Sequence, residues 1–112
     1  MKINITPRND KGQPNGLWEY YHFNEKLRSK GYYINGNRNG YWEIYHDNGQ
    51  LSFKGNFING QEDGLWESYH SNGQPHFKGK YINGEPHGYW EIYYDNGQLL
   101  YKRYYIWIKI YE

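Results

Sequence analysis

Trp18, Trp42, Trp66 and Trp90 follow one another at a step of 24 residues with no insertion. The same step relates Gly16, Gly40, Gly64 and Gly88. It also relates Glu19 to Glu43, Glu67 and Glu91, Tyr21 to Tyr45, Tyr69 and Tyr93, and Lys30 to Lys54, Lys78 and Lys102. A fixed period of this kind marks a stacked array, in which each unit is one supersecondary element that its neighbours cover. The chain therefore reads as four tandem units, 16–39, 40–63, 64–87 and 88–112, behind a leader spanning 1–15.

Local chemistry makes each unit a β-hairpin. Asn-Gly tolerates the positive φ angles of a type I′ turn, so "DNGQ" at Asp47–Gln50 predicts a two-residue hairpin loop. Ser71–Gln74 and Asp95–Gln98 repeat the signal, whereas the first unit carries "FNEK" and lacks the turn glycine at Glu25. A two-residue loop puts Asp47 opposite Gln50, Glu43 opposite Lys54 and Trp42 opposite Gly55. The ring of Trp42 is then expected to cover the glycine of its own hairpin. Alternation at period two gives one apolar face (Trp42, Ile44, His46, Leu51, Phe53, Gly55, Phe57) and one polar face (Tyr41, Glu43, Tyr45, Ser52, Lys54, Asn56). Equivalent positions lie ~9.6 Å apart, with Phe53 and Phe77 expected between the tryptophans.

Only 37% of the 112 residues are apolar and 21% of the chain is aromatic, so the core must be built from rings. A net charge of +1 provides no footprint for nucleic acid or an anionic membrane, and neither is an expected partner. The absence of cysteine excludes disulfides and thiol chemistry. "MKINITPRNDKG" lacks an apolar signal-peptide segment, and no run approaches the ~18 apolar residues of a spanning helix. These features lead to the expectation of a cytoplasmic protein.

His22, His46 and His70 recur at one position but lie too far apart to share an ion, so no metal or other cofactor is expected. The Glu–Lys pairs occur in equivalent copies, which points to structural pairing rather than acid–base chemistry, and no nucleophile–base set breaks the symmetry. A non-enzymatic protein is expected. Two features could bind a partner. Tyr21, Tyr45, Tyr69 and Tyr93, with Tyr41 and Tyr89, form a stripe on the polar face, either to shield the sheet or to contact another protein. The second is the place where the pattern stops. Arg103 replaces the glycine expected opposite Trp90, where it could stack on that ring. "YYIWIKIYE" follows, a segment apolar on both faces that includes Ile106, Trp107 and Ile108. It could cap the sheet or pair with a second copy or a target.

The motif set G-x-W-E-x-Y, then N-G-Q-L, then K-G-x-[YF]-I-N-G resembles the MORN repeat, most closely its bacterial variant, over residues 16–112. The resemblance implies an all-β fold: an elongated single antiparallel sheet of tandem 24-residue β-hairpin repeats, about eight strands in all. The function it implies is protein–protein contact, sometimes lipid binding. Bacterial members close to this pattern are classed as YwqK-like antitoxins, which bind and neutralise a partner protein. The other expectations carried forward are a regulator holding a small ligand or lipid headgroup, and a homo-oligomeric scaffold or homodimer joined through the C-terminal strand.

Overall fold

Glycine and asparagine interrupt the chain every ten residues or so, and the β-formers between them are too short and too ring-rich for helix. The computed structural model describes residues 1–106 and folds them as eight strands. These are β1 (Gly16–Tyr21), β2 (Leu27–Ile34), β3 (Asn37–Tyr45), β4 (Leu51–Ile58), β5 (Gln61–Tyr69), β6 (Pro75–Ile82), β7 (Glu85–Tyr93) and β8 (Leu99–Tyr105). They form one antiparallel sheet in sequence order, a plate 45 × 42 Å across and 15 Å thick. Among the described residues this one layer has no second sheet or helix to bury against, so the aromatic rings must cover one another.

The predicted register holds at the centre of each hairpin: Glu43 opposes Lys54 and Trp42 opposes Gly55. The predicted turn does not hold. In "HDNGQ" the Gly49 N–H donates to the His46 carbonyl (3.0 Å) and the His46 N–H donates to the Gln50 carbonyl (2.8 Å). This is a three-residue loop in which Gly49 alone has positive φ, at 89°. The pairing then shifts between Ile44 and Tyr45, where Leu51 and Phe53 oppose consecutive residues and Ser52 is the extra one. The bulge offsets the longer loop and restores the expected register. The type I′ turns lie instead in the connections between units, at Asn35-Gly36, Asn59-Gly60 and Asn83-Gly84, where both residues have positive φ.

A side-chain bond explains why the first Asn-Gly behaves differently. The Asn48 Oδ1 accepts from the Gln50 N–H (2.9 Å), and its Nδ2 donates to the Ser71 carbonyl in the next hairpin (2.7 Å). Asn24 and Asn72 make the same bridges, to the Asp47 and Asp95 carbonyls. The asparagine column therefore ties successive turns together. His22, His46 and His70 add a second row of such ties, each ring Nε2 lying 2.9–3.1 Å from the carbonyl of Tyr45, Tyr69 or Tyr93.

The tryptophans also reach across units, contrary to the expected cover within a hairpin. A Cβ on Gly31 would meet the Trp42 ring at 2.1 Å, one on Gly55 the Trp66 ring at 2.2 Å, and one on Gly79 the Trp90 ring at 2.0 Å. Each ring therefore lies flat on the glycine of the preceding hairpin. Its indole N–H donates to the next carbonyl along, Trp42 to Tyr32, Trp66 to Asn56 and Trp90 to Lys80, at 3.0–3.2 Å. The ladder shifts at these sites, between Lys30 and Tyr32 and between Lys54 and Asn56, which lets the ring swing over its acceptor. The tryptophans are only 3–5% exposed. The rings between them are Tyr33, Phe57, Tyr81 and Tyr105, with centroids 4.9–6.2 Å from the neighbouring tryptophan. Phe53 and Phe77, the expected spacers, instead contact each other, and Phe77 reaches Trp90.

Trp18 has no preceding hairpin, and the leader substitutes for one. The Pro7 carbonyl accepts from its indole (2.8 Å), and Ile5 exchanges two backbone hydrogen bonds with Glu19. Arg103 does not stack on Trp90, which already rests on Gly79; its guanidinium lies over Tyr105, 4.9 Å from the ring centroid.

Two stability predictions follow from this geometry. Gly55→Ala drives a methyl group into the Trp66 ring and should destabilise the fold by ~1–3 kcal/mol, the range for overpacking a filled site. Urea unfolding measures it, and a loss under ~0.5 kcal/mol would contradict the inter-unit stacking. Glu25 occupies the loop position that glycine fills elsewhere, at φ 69°. Glu25→Gly should therefore stabilise by about 1 kcal/mol, seen as a rise in Tm.

Candidate functional site

The polar face is organised around one row of charges. Glu19, Lys30, Glu43, Lys54, Glu67, Lys78, Glu91 and Lys102 oppose one another in turn across all eight strands. The row is continuous rather than a set of separate hairpin pairs. The Lys54 Nζ lies 3.8 Å from a Glu67 oxygen in the next hairpin, and the Lys30 Nζ lies 4.0 Å from Glu19 in its own. Lys30, Lys54 and Lys78 each have an acid on both sides and Lys102 has Glu91 on one, so the row is neutral overall and the individual pairs contribute little to stability.

Tyrosines flank this row on both sides. On one side Tyr21, Tyr69 and Tyr93 donate their hydroxyls to Glu19, Glu67 and Glu91, the glutamates two residues before them on the same strand. Burial, with the Glu43 charge and hydrogen bond behind it, raises the Tyr45 phenol. For Tyr69 burial and the hydrogen bond to Glu67 act in the same direction. For Tyr21 the hydrogen bond to Glu19 is the leading cause. These four phenols are half-buried; Glu43 accepts a longer bond from the Tyr41 hydroxyl on the opposite flank (3.4 Å).

The other flank is open. Tyr41 is 48% exposed and Tyr89 72% exposed. Leu65, 56% exposed, occupies the same column between them. Tyr104 opposes Tyr89 with ring centroids 4.5 Å apart, and Tyr32 stands at the equivalent position on β2. Sequence reasoning named Tyr41 and Tyr89 but missed Leu65, Tyr32 and Tyr104. The 24-residue column identifies Leu65, and the register places Tyr104 directly opposite Tyr89.

The remaining candidates lie on and beyond the last strand. Arg103 and Ile106 are exposed, as are Leu99, Leu100 and Tyr101. Trp107 and Ile108 lie outside the described residues. Among the described residues no three His, Cys, Asp or Glu side chains come together as a metal site, and no helix is long and apolar enough to cross a membrane.

A family model described as "MORN repeat variant" matches residues 14–35, 38–59, 62–83 and 86–106, one match per hairpin. The chain belongs to the MORN repeat variant family. No curated protein is significantly similar to it. Repeats of this family are generally held to mediate contacts with proteins or membrane lipids, and the family is typically non-catalytic.

The MORN sheet should lose stability in alkali. A phenol whose ionisation is raised on folding favours the folded state below its ordinary value of ~10, and that contribution fades as pH rises past it. Tyr41, Tyr45, Tyr69 and Tyr93 are all raised, and so is Lys54, through Glu67. Unfolding free energy should therefore fall above pH ~10. Absorbance at the tyrosinate band should show Tyr69 ionising earlier in Glu67→Gln than in the parent chain.

Proposed function

We propose that this chain is a non-catalytic protein-binding module that captures and neutralises a partner protein in the bacterial cytoplasm, as the antitoxins and immunity proteins it resembles do. The observation that carries this reading is the exposed row of Tyr32, Tyr41, Leu65, Tyr89 and Tyr104 on a sheet only 15 Å thick. Asn56 on β4 and Lys80 on β6 stand between these apolar groups, and exposed apolar side chains alternating with polar ones on a rigid strand array suit protein contact. Tyrosine supplies large contact area at low entropic cost, and the neighbouring charge row supplies a polar rim. The half-buried Tyr21, Tyr45, Tyr69 and Tyr93, on the other side of the charge row, would be lesser contacts.

A second reading rests on the exposed outer strand. Among the described residues nothing pairs with the free edge of β8, whereas β1 is bridged by Ile5. Strand addition at β8 would join a second copy or a target through backbone hydrogen bonds. Light scattering on the parent chain and on Ile106→Lys separates the two readings, since only edge pairing requires Ile106.

Affinity capture followed by mass spectrometry, with growth rescue on co-expression, identifies the neutralised partner. Tyr41→Ala with Tyr89→Ala should weaken capture at least ~10-fold, a hot-spot-sized loss, with Tm nearly unchanged. Full capture by that double variant would remove the tyrosine row from the interface.

A further inference from the structure

The ring-covered face repeats a further contact that the sequence does not announce. Each aromatic slot is built from a tryptophan and the Tyr or Phe of the following strand, and three of the four slots hold an arginine of the chain itself. The Arg8 guanidinium lies 5.2 Å from the Trp18 centroid, held there by a hydrogen bond from Nη1 to the Gly12 carbonyl. Arg38 lies between Trp42 and Phe57, 5.2 and 5.5 Å from the two centroids. Arg103 lies 4.9 Å from the Tyr105 centroid in the last slot. A guanidinium over an aromatic face is attractive because the ring presents its negative quadrupole there.

The third slot differs. Among the described residues no cation lies over Trp66 or Tyr81. The position that carries Arg38 at the start of β3 carries Glu62, 24 residues on, at the start of β5, half-buried and opposite Phe57. A cavity of about 210 Å³ opens here, lined by Ile44, Phe53, Phe57, Glu62, Trp66, Phe77 and Tyr81. Burial raises the Tyr81 phenol, with the Glu62 charge as the next cause, which agrees with a carboxylate facing into the same space. Among the described residues that carboxylate has no salt-bridge partner. The slot therefore keeps the aromatic walls of its neighbours, lacks their cation, and adds the carboxylate that would pair with one.

We infer that the Trp66–Tyr81–Glu62 groove receives an arginine side chain presented by the partner protein, its guanidinium on the rings and against the Glu62 carboxylate. This deepens the protein-binding reading and rests on it. A drug-sized ligand usually occupies ~300–1,000 Å³. The smaller volume here suits one inserted side chain. Glu62 selects for positive charge, and the planar fork of guanidinium both stacks on aromatic faces and bonds a carboxylate with two N–H donors. The chain's own Arg38 shows the same chemistry one unit away.

The test titrates the full chain with two capped tripeptides, Gly-Arg-Gly and Gly-citrulline-Gly. Citrulline has nearly the shape of arginine without its charge. The indole N–H resonances report separately on each tryptophan, and Trp18, Trp42 and Trp90 serve as internal controls. The arginine peptide should shift the Trp66 indole and bind at least ~10-fold more tightly than the citrulline peptide. Glu62→Gln should remove most of that preference. Glu62→Arg should fill the slot from within, as Arg38 does, and abolish binding while the remaining spectrum shows an intact sheet. Arg38→Glu should create a second responsive site at Trp42. Equal binding of both peptides, or a response spread over all the indoles, would overturn the assignment. Capture of the protein partner by Glu62→Arg at parental strength would overturn the arginine contact while leaving the protein-binding reading in place.

Discussion

The sheet depends on a ring laid on a backbone. Trp42, Trp66 and Trp90 each lie on the glycine of the hairpin before and donate the indole N–H to the next carbonyl, so one side chain provides both apolar cover and directional bonding. Gly31, Gly55 and Gly79 leave no room for even a methyl group between ring and strand. Buried aromatic contacts of this type contribute ~0.5–1.5 kcal/mol per pair beyond area alone. The pairs run unbroken from Trp18 to Tyr105. A single-layer plate can thus keep its tryptophans dry without a second layer, because neighbouring units cover each other's rings.

The coupling between units explains how far the sequence could be read. Strand count, order and the Glu43–Lys54 register follow from a strict period and the alternation of residue types, both of which are local. The partner of Trp42 is not local. Register shows that Gly55 lies opposite Trp42, yet the side chain leans the other way, over a ladder shift that pairs one residue against several. The turn at Asn48-Gly49 was misread for a different reason. Asn-Gly suits both loop types, and every one of these three-residue loops carries the bond from the residue after glycine back to the asparagine Oδ1, Gln50 to Asn48 and Gln98 to Asn96. The half-buried tyrosines and the exposed Tyr41 and Tyr89 look alike in sequence, each two residues from a glutamate, and their exposure is what separates them.

The two faces divide the work of the fold. The ring-covered face supplies most of the cohesion, and its one irregular slot, at Glu62, stands where three others carry arginine. The central charge row is neutral and contributes little net stability, so the outer tyrosine row can vary without loosening the sheet. Substitutions on that row should change recognition, whereas substitutions in the tryptophan and glycine columns should change folding.

Arg103 also limits how the molecule can assemble. It sits at the position of β8 where every earlier even-numbered strand has a glycine to receive the next tryptophan. A second molecule docking its β1 there would bring Trp18 against a long charged side chain instead of a bare backbone. Head-to-tail stacking, the mode by which a repeat array would grow into an open fibre, is blocked at its first contact.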